Sequence, residues 1–279
     1  MNFAAALRRD LAQRAQKYAA ASSLPHSLSY GEFPTVCFEP YNHGTRHGNF
    51  LAASYRCILE NPDWSKRLRK VHTQGHHCLP PTGRGRWMEL DSCTSSDALL
   101  MNVFCHRQVL RDGRLGGHFG VEPGALPCFG YKARVPLANR RFDRTEIDLR
   151  LGNFLIEAKL TETDFQSARK SVLCGYRDFM EVFDEQQLPQ TDTLYLSYQL
   201  LRNILAAHAL QCSFCVLLDA RRPDLIDACY AVMKAVKPVE LRTKIRISTW
   251  QEIAETAPLK LQAFLSEKYG IECRCHEVF

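Results

Sequence analysis

Arg144-Thr145-Glu146-Ile147-Asp148-Leu149-Arg150-Leu151-Gly152-Asn153-Phe154-Leu155-Ile156-Glu157-Ala158-Lys159-Leu160 is the stretch that decides the fold. Ile147, Leu149 and Leu151 alternate with Glu146, Asp148 and Arg150, the period of two that marks a strand with one buried face. Gly152-Asn153 reads as a two-residue hairpin turn, because both residue types tolerate positive φ. In the second arm Phe154, Ile156, Ala158 and Leu160 alternate with Leu155, Glu157, Lys159 and Thr161. Pairing Leu151 with Phe154 across such a turn sets Asp148 opposite Glu157 and Glu146 opposite Lys159. Directly opposed Cβ atoms lie about 4.5–5.5 Å apart. Two ionised carboxylates that close repel unless a proton or a cation lies between them. A divalent, oxygen-liking metal such as Mg²⁺ or Mn²⁺ relieves the conflict. Lys159, on the same face, can then orient a water or neutralise an attacked phosphate. The group Asp148, Glu157, Lys159 is thus what metal-dependent cleavage of a phosphodiester needs. A solvated hairpin face carrying a Glu146–Lys159 ion pair has the same spacing, and spacing alone leaves both readings open.

Outward from the hairpin, the chain reads as alternating helices and strands. Ser95 or Ser96 caps a helix running to His106, and 129–135 reads as a strand. After the hairpin, Thr163 or Asp164 is expected to cap a helix toward Phe183, followed by a strong amphipathic helix over 193–210. A buried strand at 213–219 and a helix opened by Pro223 follow. A strand at 244–248 and helices at 249–256 and 259–269 complete the order, the last stopped by Gly270. This is an α/β order with a mixed sheet flanked by helices. Residues 1–21 read as an amphipathic helix. Residues 22–92 are rich in Pro, Gly, His and Tyr, with a short helix at 54–61 and an extended piece at 33–41. The expected division is therefore 1–92, an N-terminal helix and irregular lobe, and 93–279, the domain that carries the hairpin.

Composition narrows the class. The 279 residues are 46% hydrophobic, enough for a large core, and carry a net charge of +6. A mildly basic chain suits a phosphate backbone without demanding one. Basic runs fall at Lys66–Lys70, Arg84–Arg86, Arg140–Arg141 and Arg221–Arg222, each more simply read as solvated surface. No run of about 20 apolar residues suggests a membrane span, and no secretory leader is evident. With 12 cysteines and no export signal, free thiols in a reducing cytoplasm are the expected setting. Cys212 and Cys215 have the spacing of half a zinc site, but no second such pair completes it. His76-His77-Cys78 and Cys273-Arg274-Cys275-His276 are also short clusters, but most of the cysteines are more simply read as small buried hydrophobes or surface thiols.

Asp148 followed by Glu157-Ala158-Lys159 on adjacent strands resembles the PD-(D/E)xK nuclease superfamily, whose core is the restriction-endonuclease-like fold. Longer phrases agree. The run 94–104 resembles the helix preceding the catalytic hairpin in uncharacterised bacterial members. The runs 144–148 and 157–165 resemble their catalytic strands, and Tyr198-Gln199-Leu200-Leu201-Arg202-Asn203 resembles the helix that follows. The resemblance covers roughly residues 85–270. It implies an endonuclease or other DNA hydrolase in which Mg²⁺ (or Mn²⁺) activates a water. Asp148, Glu157 and the backbone of Ala158 would hold the metal, with Lys159 as the catalytic lysine. It also implies a glutamine from the following helix supporting the site, here Gln199. Tyr198 and Glu162 are lesser candidates. The first core helix offers Asp97 as an acidic residue, which leaves open whether one metal binds or two. Arg144, Arg150 and Arg202 are the expected DNA contacts, and a homodimer stays open. The competing reading is a catalytically idle DNA-binding or protein-interaction module on the same fold.

Overall fold

The structure is a computed structural model that describes residues 2–29, 34–71, 87–122 and 124–273. The clusters at 76–78 and 274–276 and the basic run 84–86 lie outside the described residues. The chain divides into two compact units, Met1–Ala125 with Trp250–Phe279, and Leu126–Thr249. The sequence reading placed a single boundary at 92/93, before the helix Ser96–Phe104. That helix packs against Ala52–Glu60 and Arg107–Arg111, and the late helix Leu259–Tyr269 packs on Phe3–Ala21.

The unit Leu126–Thr249 holds a five-stranded mixed sheet. Its spatial order is Ile245–Thr249, Ser213–Leu218, Phe154–Ala158, Glu146–Leu151, Cys128–Lys132. Phe154–Ala158 and Ile245–Thr249 both run parallel to Ser213–Leu218, and the hairpin supplies the antiparallel half. This is the mixed, helix-flanked α/β sheet that the resemblance implies. The hairpin register is the one read from the turn: Leu151 pairs with Phe154, Arg150 with Leu155 and Leu149 with Ile156. Gly152 takes φ 56° at the turn; Asn153 stays at negative φ. In Glu146–Leu151 burial alternates as expected, but all five residues of Phe154–Ala158 are buried. A strand at the centre of a sheet is covered on both faces.

The cover is the helix Tyr198–Leu210, whose Leu200, Leu201, Ile204 and Leu205 join Leu155, Phe214 and Val216 in one apolar cluster. This helix begins at Tyr198, five residues later than its pattern predicts. Leu194–Leu196 instead forms a strand paired with Ser167–Arg169, and Ser197 in the left-handed region (φ 60°) turns the chain into the helix. That pairing also replaces the helix expected from Thr163 or Asp164. Only the short helices Lys170–Leu173 and Phe179–Val182 form there. Both misreadings share a cause: two short strands that stabilise each other are invisible to periodicity within either one.

The other unit is built largely of helices. Asn2 caps Phe3–Ala21 and Ser95 caps Ser96–Phe104, each accepting from a backbone N–H three residues on. Asp97 is buried and paired with Arg67 at 2.6 Å and Lys70 at 3.0 Å. Its carboxylate is therefore committed to two cations. Lys66, Arg67 and Lys70 all make ion pairs within the unit rather than forming a free basic stripe. Among the described residues no helix is long and apolar enough to cross a membrane, and the described cysteines are free thiols.

Candidate active site

Two backbone devices bring the chemistry-bearing residues together. The ladder between the hairpin strands ends at Leu149 and Ile156. Beyond it, the Asp148 carboxylate accepts the Ala158 backbone N–H at 2.8 Å. Asp148 therefore sits at the opening of the hairpin, half-buried. The second arm goes on beside Ser213–Leu218, with the Lys159 N–H donating to the Leu217 carbonyl at 2.8 Å. The opposition of Glu146 and Lys159 expected from the turn gives way: Glu146 pairs with Lys132 of the outer strand.

Lys159 pairs instead with Glu157. Its Nζ lies 2.9 Å from Glu157 Oε1 and donates to Gln199 Oε1 at 2.9 Å. Both partners of the ion pair are buried, Glu157 at 3% and Lys159 at 4% exposure. The face is thus not open to solvent throughout, as the alternation suggested. It is roofed by the helix Tyr198–Leu210, leaving Asp148 as its more accessible member. Burial alone would lower the Lys159 ammonium, but the charges of Glu157, Glu162 and Asp148 outweigh it and hold its pKa above the ordinary value.

The roof helix contributes three polar side chains. Gln199 binds Lys159, and Asn203, one turn on, donates from Nδ2 to Glu157 Oε2 at 2.8 Å. Arg202 is buried; it donates from Nε and Nη2 to Asn203 Oδ1, and from Nη2 to the Glu146 carbonyl. Arg202, expected from the sequence as a DNA contact, is here turned inward and fixes the orientation of the Asn203 amide. Arg150 folds back on its own sheet, donating to Tyr131 Oη at 2.8 Å and to the Gly152 carbonyl, with its guanidinium 4.9 Å from the Tyr131 ring centre. Of the three arginines expected to reach DNA, Arg144 is exposed, Arg150 half-buried and Arg202 buried. Glu162 caps the end of the strand by accepting the Leu160 N–H. Tyr198 turns to Tyr176.

Sequence reasoning missed Asn203 as a site residue, although its four-residue spacing from Gln199 placed it on the same helix face. It also missed Arg222, which is fully buried and donates to the carbonyls of Glu162 (2.7 Å), Thr163 (3.1 Å) and Leu160 (3.4 Å), with Asp224 as counter-ion. That guanidinium helps pin the segment leaving Lys159. Cys212 and Cys215 belong to the buried strand region, Cys212 Sγ bonding Asn153 Oδ1.

For a metal, the candidate donors are two carboxylates, Asp148 and Glu157, and the Ala158 carbonyl; Glu157 Oε1 is shared with Lys159 and Oε2 with Asn203. All are hard oxygens. Among the described residues no group of three or more His, Cys, Asp or Glu side chains gathers to hold an ion. Oxygens of this kind are what a hard cation such as Mg²⁺ takes, an ion that binds through one or two carboxylates and keeps sites for water and substrate phosphate.

No curated protein and no solved structure matches the chain. Residues 16–270 match the family model described as restriction endonuclease associating with ARP. That match spans most of both units, and with the mixed sheet and its hairpin it places the chain: the protein belongs to the REase-ARP family of restriction-endonuclease-like proteins.

Proposed function

We propose that the protein is a PD-(D/E)xK nuclease that hydrolyses phosphodiester bonds of DNA with Mg²⁺, its active site being Asp148, Glu157, Lys159 and Gln199. The observation that carries this reading is the buried Glu157–Lys159 pair held by Gln199 and Asn203 beside the half-buried Asp148. Buried charges are costly, and one helix supplies the polar groups that keep these two in place. Such an arrangement suits a functional site better than a structural one, because an apolar pair of similar volume would stabilise the sheet as well.

Asp148, Glu157 and the Ala158 carbonyl would hold the metal, which supplies Lewis-acid stabilisation of charge on the attacked phosphate. The chain's own groups do the rest. Gln199 and Glu157 aim the Lys159 ammonium. Asn203 commits one Glu157 oxygen and so leaves the carboxylate in a single orientation. Lys159 places a fixed positive charge where negative charge grows during attack, the kind of preorganised electrostatic stabilisation that dominates many hydrolases.

A supercoiled plasmid incubated with the purified chain in Mg²⁺, Mn²⁺ or EDTA tests the proposal. Metal-dependent nicking or linearisation that Asp148→Ala abolishes is the expected result. Cleavage that persists in EDTA, or equal cleavage by Asp148→Ala, would move the chemistry elsewhere. A folded protein that binds DNA and cuts nothing would favour the idle module.

A further inference from the structure

A short hairpin, Val135–Pro136 with Phe142–Asp143, precedes the catalytic strand, with Val135 paired to Asp143 and Pro136 to Phe142. It is fastened to the segment 175–177: Ala138 N–H donates to the Gly175 carbonyl at 2.9 Å and Arg177 N–H to the Pro136 carbonyl at 3.1 Å. Between the two lies a cleft of about 520 Å³, within the 300–1,000 Å³ range of small-ligand sites.

Its walls carry two large apolar side chains left in contact with solvent, Phe142 at 43% and Val172 at 46% exposure. The Phe142 ring already carries the Arg134 guanidinium, 4.6 Å from its centre. At the floor, Asp143 accepts from the Thr145 N–H and hydroxyl through Oδ1, and from Tyr176 Oη at 2.7 Å through Oδ2. Burial works against the Asp143 carboxylate, but these hydrogen bonds, with the Arg202 charge, hold its pKa below the usual value. The Tyr176 proton is thereby committed to Asp143. Tyr198 Oη, 3.1 Å from Tyr176 Oη, then acts as the donor of that contact and keeps a lone pair to offer. At the rim, Asn139 Oδ1 accepts the Arg141 N–H, so its NH₂ is what it has to give. Arg144, exposed and among the lining residues, makes no hydrogen bond or ion pair among the described residues.

We propose that this cleft seats one nucleobase swung out of a DNA duplex. The proposal rests on the nuclease reading above and adds to it a feature of the substrate. A flat apolar wall suits the π-face of a base. An acceptor at Tyr198 and donors at Asn139 suit a Watson–Crick edge, on which donors and acceptors alternate and which a paired base cannot present. Arg144 suits the phosphate of the same nucleotide. Extruding a base costs least at a bulge or mismatch, so DNA with an unpaired base is the preferred ligand.

The test measures affinity of the intact chain, with Ca²⁺ in place of Mg²⁺, for two short duplexes, one fully paired and one with a single bulged base. Deoxyadenosine monophosphate serves as competitor. Base–aromatic stacking contributes about 1–3 kcal/mol per base, so the bulged duplex is expected to bind on the order of tenfold tighter or more. Phe142→Ala and Val172→Trp, the latter filling the cleft, should each bring the ratio to one, while Phe142→Trp keeps it. A ratio of one in the wild type, or an unchanged ratio in both variants with normal circular dichroism, overturns the proposal. Displacement by the mononucleotide at concentrations matching the duplex overturns it too, in favour of a free-nucleotide site. Plasmid cleavage separates the two readings. Intact metal-dependent cleavage with no affinity ratio removes the cleft and keeps the nuclease. A ratio lost in Phe142→Ala, in a protein that cuts nothing in Mg²⁺ or Mn²⁺, keeps the cleft and removes the nuclease.

Discussion

Asn203 Nδ2 donates to Glu157 Oε2 at 2.8 Å, while Asn203 Oδ1 takes two hydrogen bonds from Arg202. The asparagine thus relays between a buried arginine and a buried carboxylate, and its amide can point only one way. Asn203→Ala leaves both charges short of a partner. A hydrogen bond to a charged group contributes about 1.5–3 kcal/mol, so urea unfolding should show a loss of that order. Cleavage should fall further than stability predicts at a temperature where the variant is fully folded, because Glu157 is free to turn. Wild-type turnover in a folded Asn203→Ala would remove the relay from the mechanism.

Asp148 is the more accessible carboxylate of the pair, and it accepts the Ala158 N–H. Hard cations need several oxygens. Calorimetric titration with Mn²⁺ should therefore show binding to the wild type and a large loss in Asp148→Ala. Equal affinity in both proteins would place any metal elsewhere.

Arg222 satisfies three carbonyls from 160–163 while fully buried. Arg222→Ala leaves those carbonyls without their donor, and unsatisfied buried groups cost about 1–3 kcal/mol each. We expect destabilisation on the order of 3 kcal/mol by urea titration and reduced cleavage, since the strand end bearing Lys159 is released. A change within 0.5 kcal/mol would mean the segment is held by other contacts; surface substitutions typically stay inside about that margin.

The hairpin was legible because its pattern is local. Period-two alternation, a Gly-Asn turn and the resulting register sufficed to bring Asp148 near the Glu157–Lys159 strand. The cover over that strand was not legible in the same way. Whether Leu155 and Glu157 face water or a helix depends on what Leu201, Ile204 and Leu205 need to bury, and those lie some 45 residues further on in the sequence. The same non-local dependence hid the strand pair Ser167–Arg169 and Leu194–Leu196. It also made Arg202 look like a DNA contact: a charged residue on an amphipathic helix reads as exposed until its partners, Asn203 and the Glu146 carbonyl, are in place. The fate of Lys159 turned on the end of a ladder, which no alternation pattern announces.

Lys268 is fully buried with no carboxylate in ion-pair contact among the described residues. It donates to the Asn49 carbonyl and side chain, among the rings of Phe38, Tyr269, Phe264 and Tyr18. Burial pushes its ammonium well below the usual lysine range. The unfolded chain, with an ordinary lysine near about 10.4, then binds more protons than the folded one. Stability should rise with pH toward that value and fall as pH drops toward the folded pKa. All three tryptophans, Trp64, Trp87 and Trp250, lie in the same unit as Lys268, so tryptophan fluorescence reports its unfolding. Lys268→Met should flatten the pH dependence; the same slope in both proteins would show that the lysine is charged in the fold.

Lys159 separates structure from chemistry. On a solvated hairpin its removal would cost about 0–1 kcal/mol. Because its pair with Glu157 is buried, Lys159→Met should instead cost about 3–5 kcal/mol, the penalty of leaving one buried charge uncompensated. If Lys159 also stabilises the attacked phosphate, cleavage should fall on the order of 10²-fold or more at temperatures where the variant is folded. DNA affinity should change little, since it is spread over many phosphate contacts and one cation lowers the salt slope by about one unit. The double variant Lys159→Met, Glu157→Gln isolates the stability effect. Neutralising the orphaned carboxylate should restore much of the lost stability, because the uncompensated charge is gone; cleavage stays absent there in any case, since Glu157 is itself a proposed metal ligand. Recovery of cleavage along with stability would remove both residues from the chemistry. Wild-type cleavage by Lys159→Met would take the catalytic site away from this hairpin.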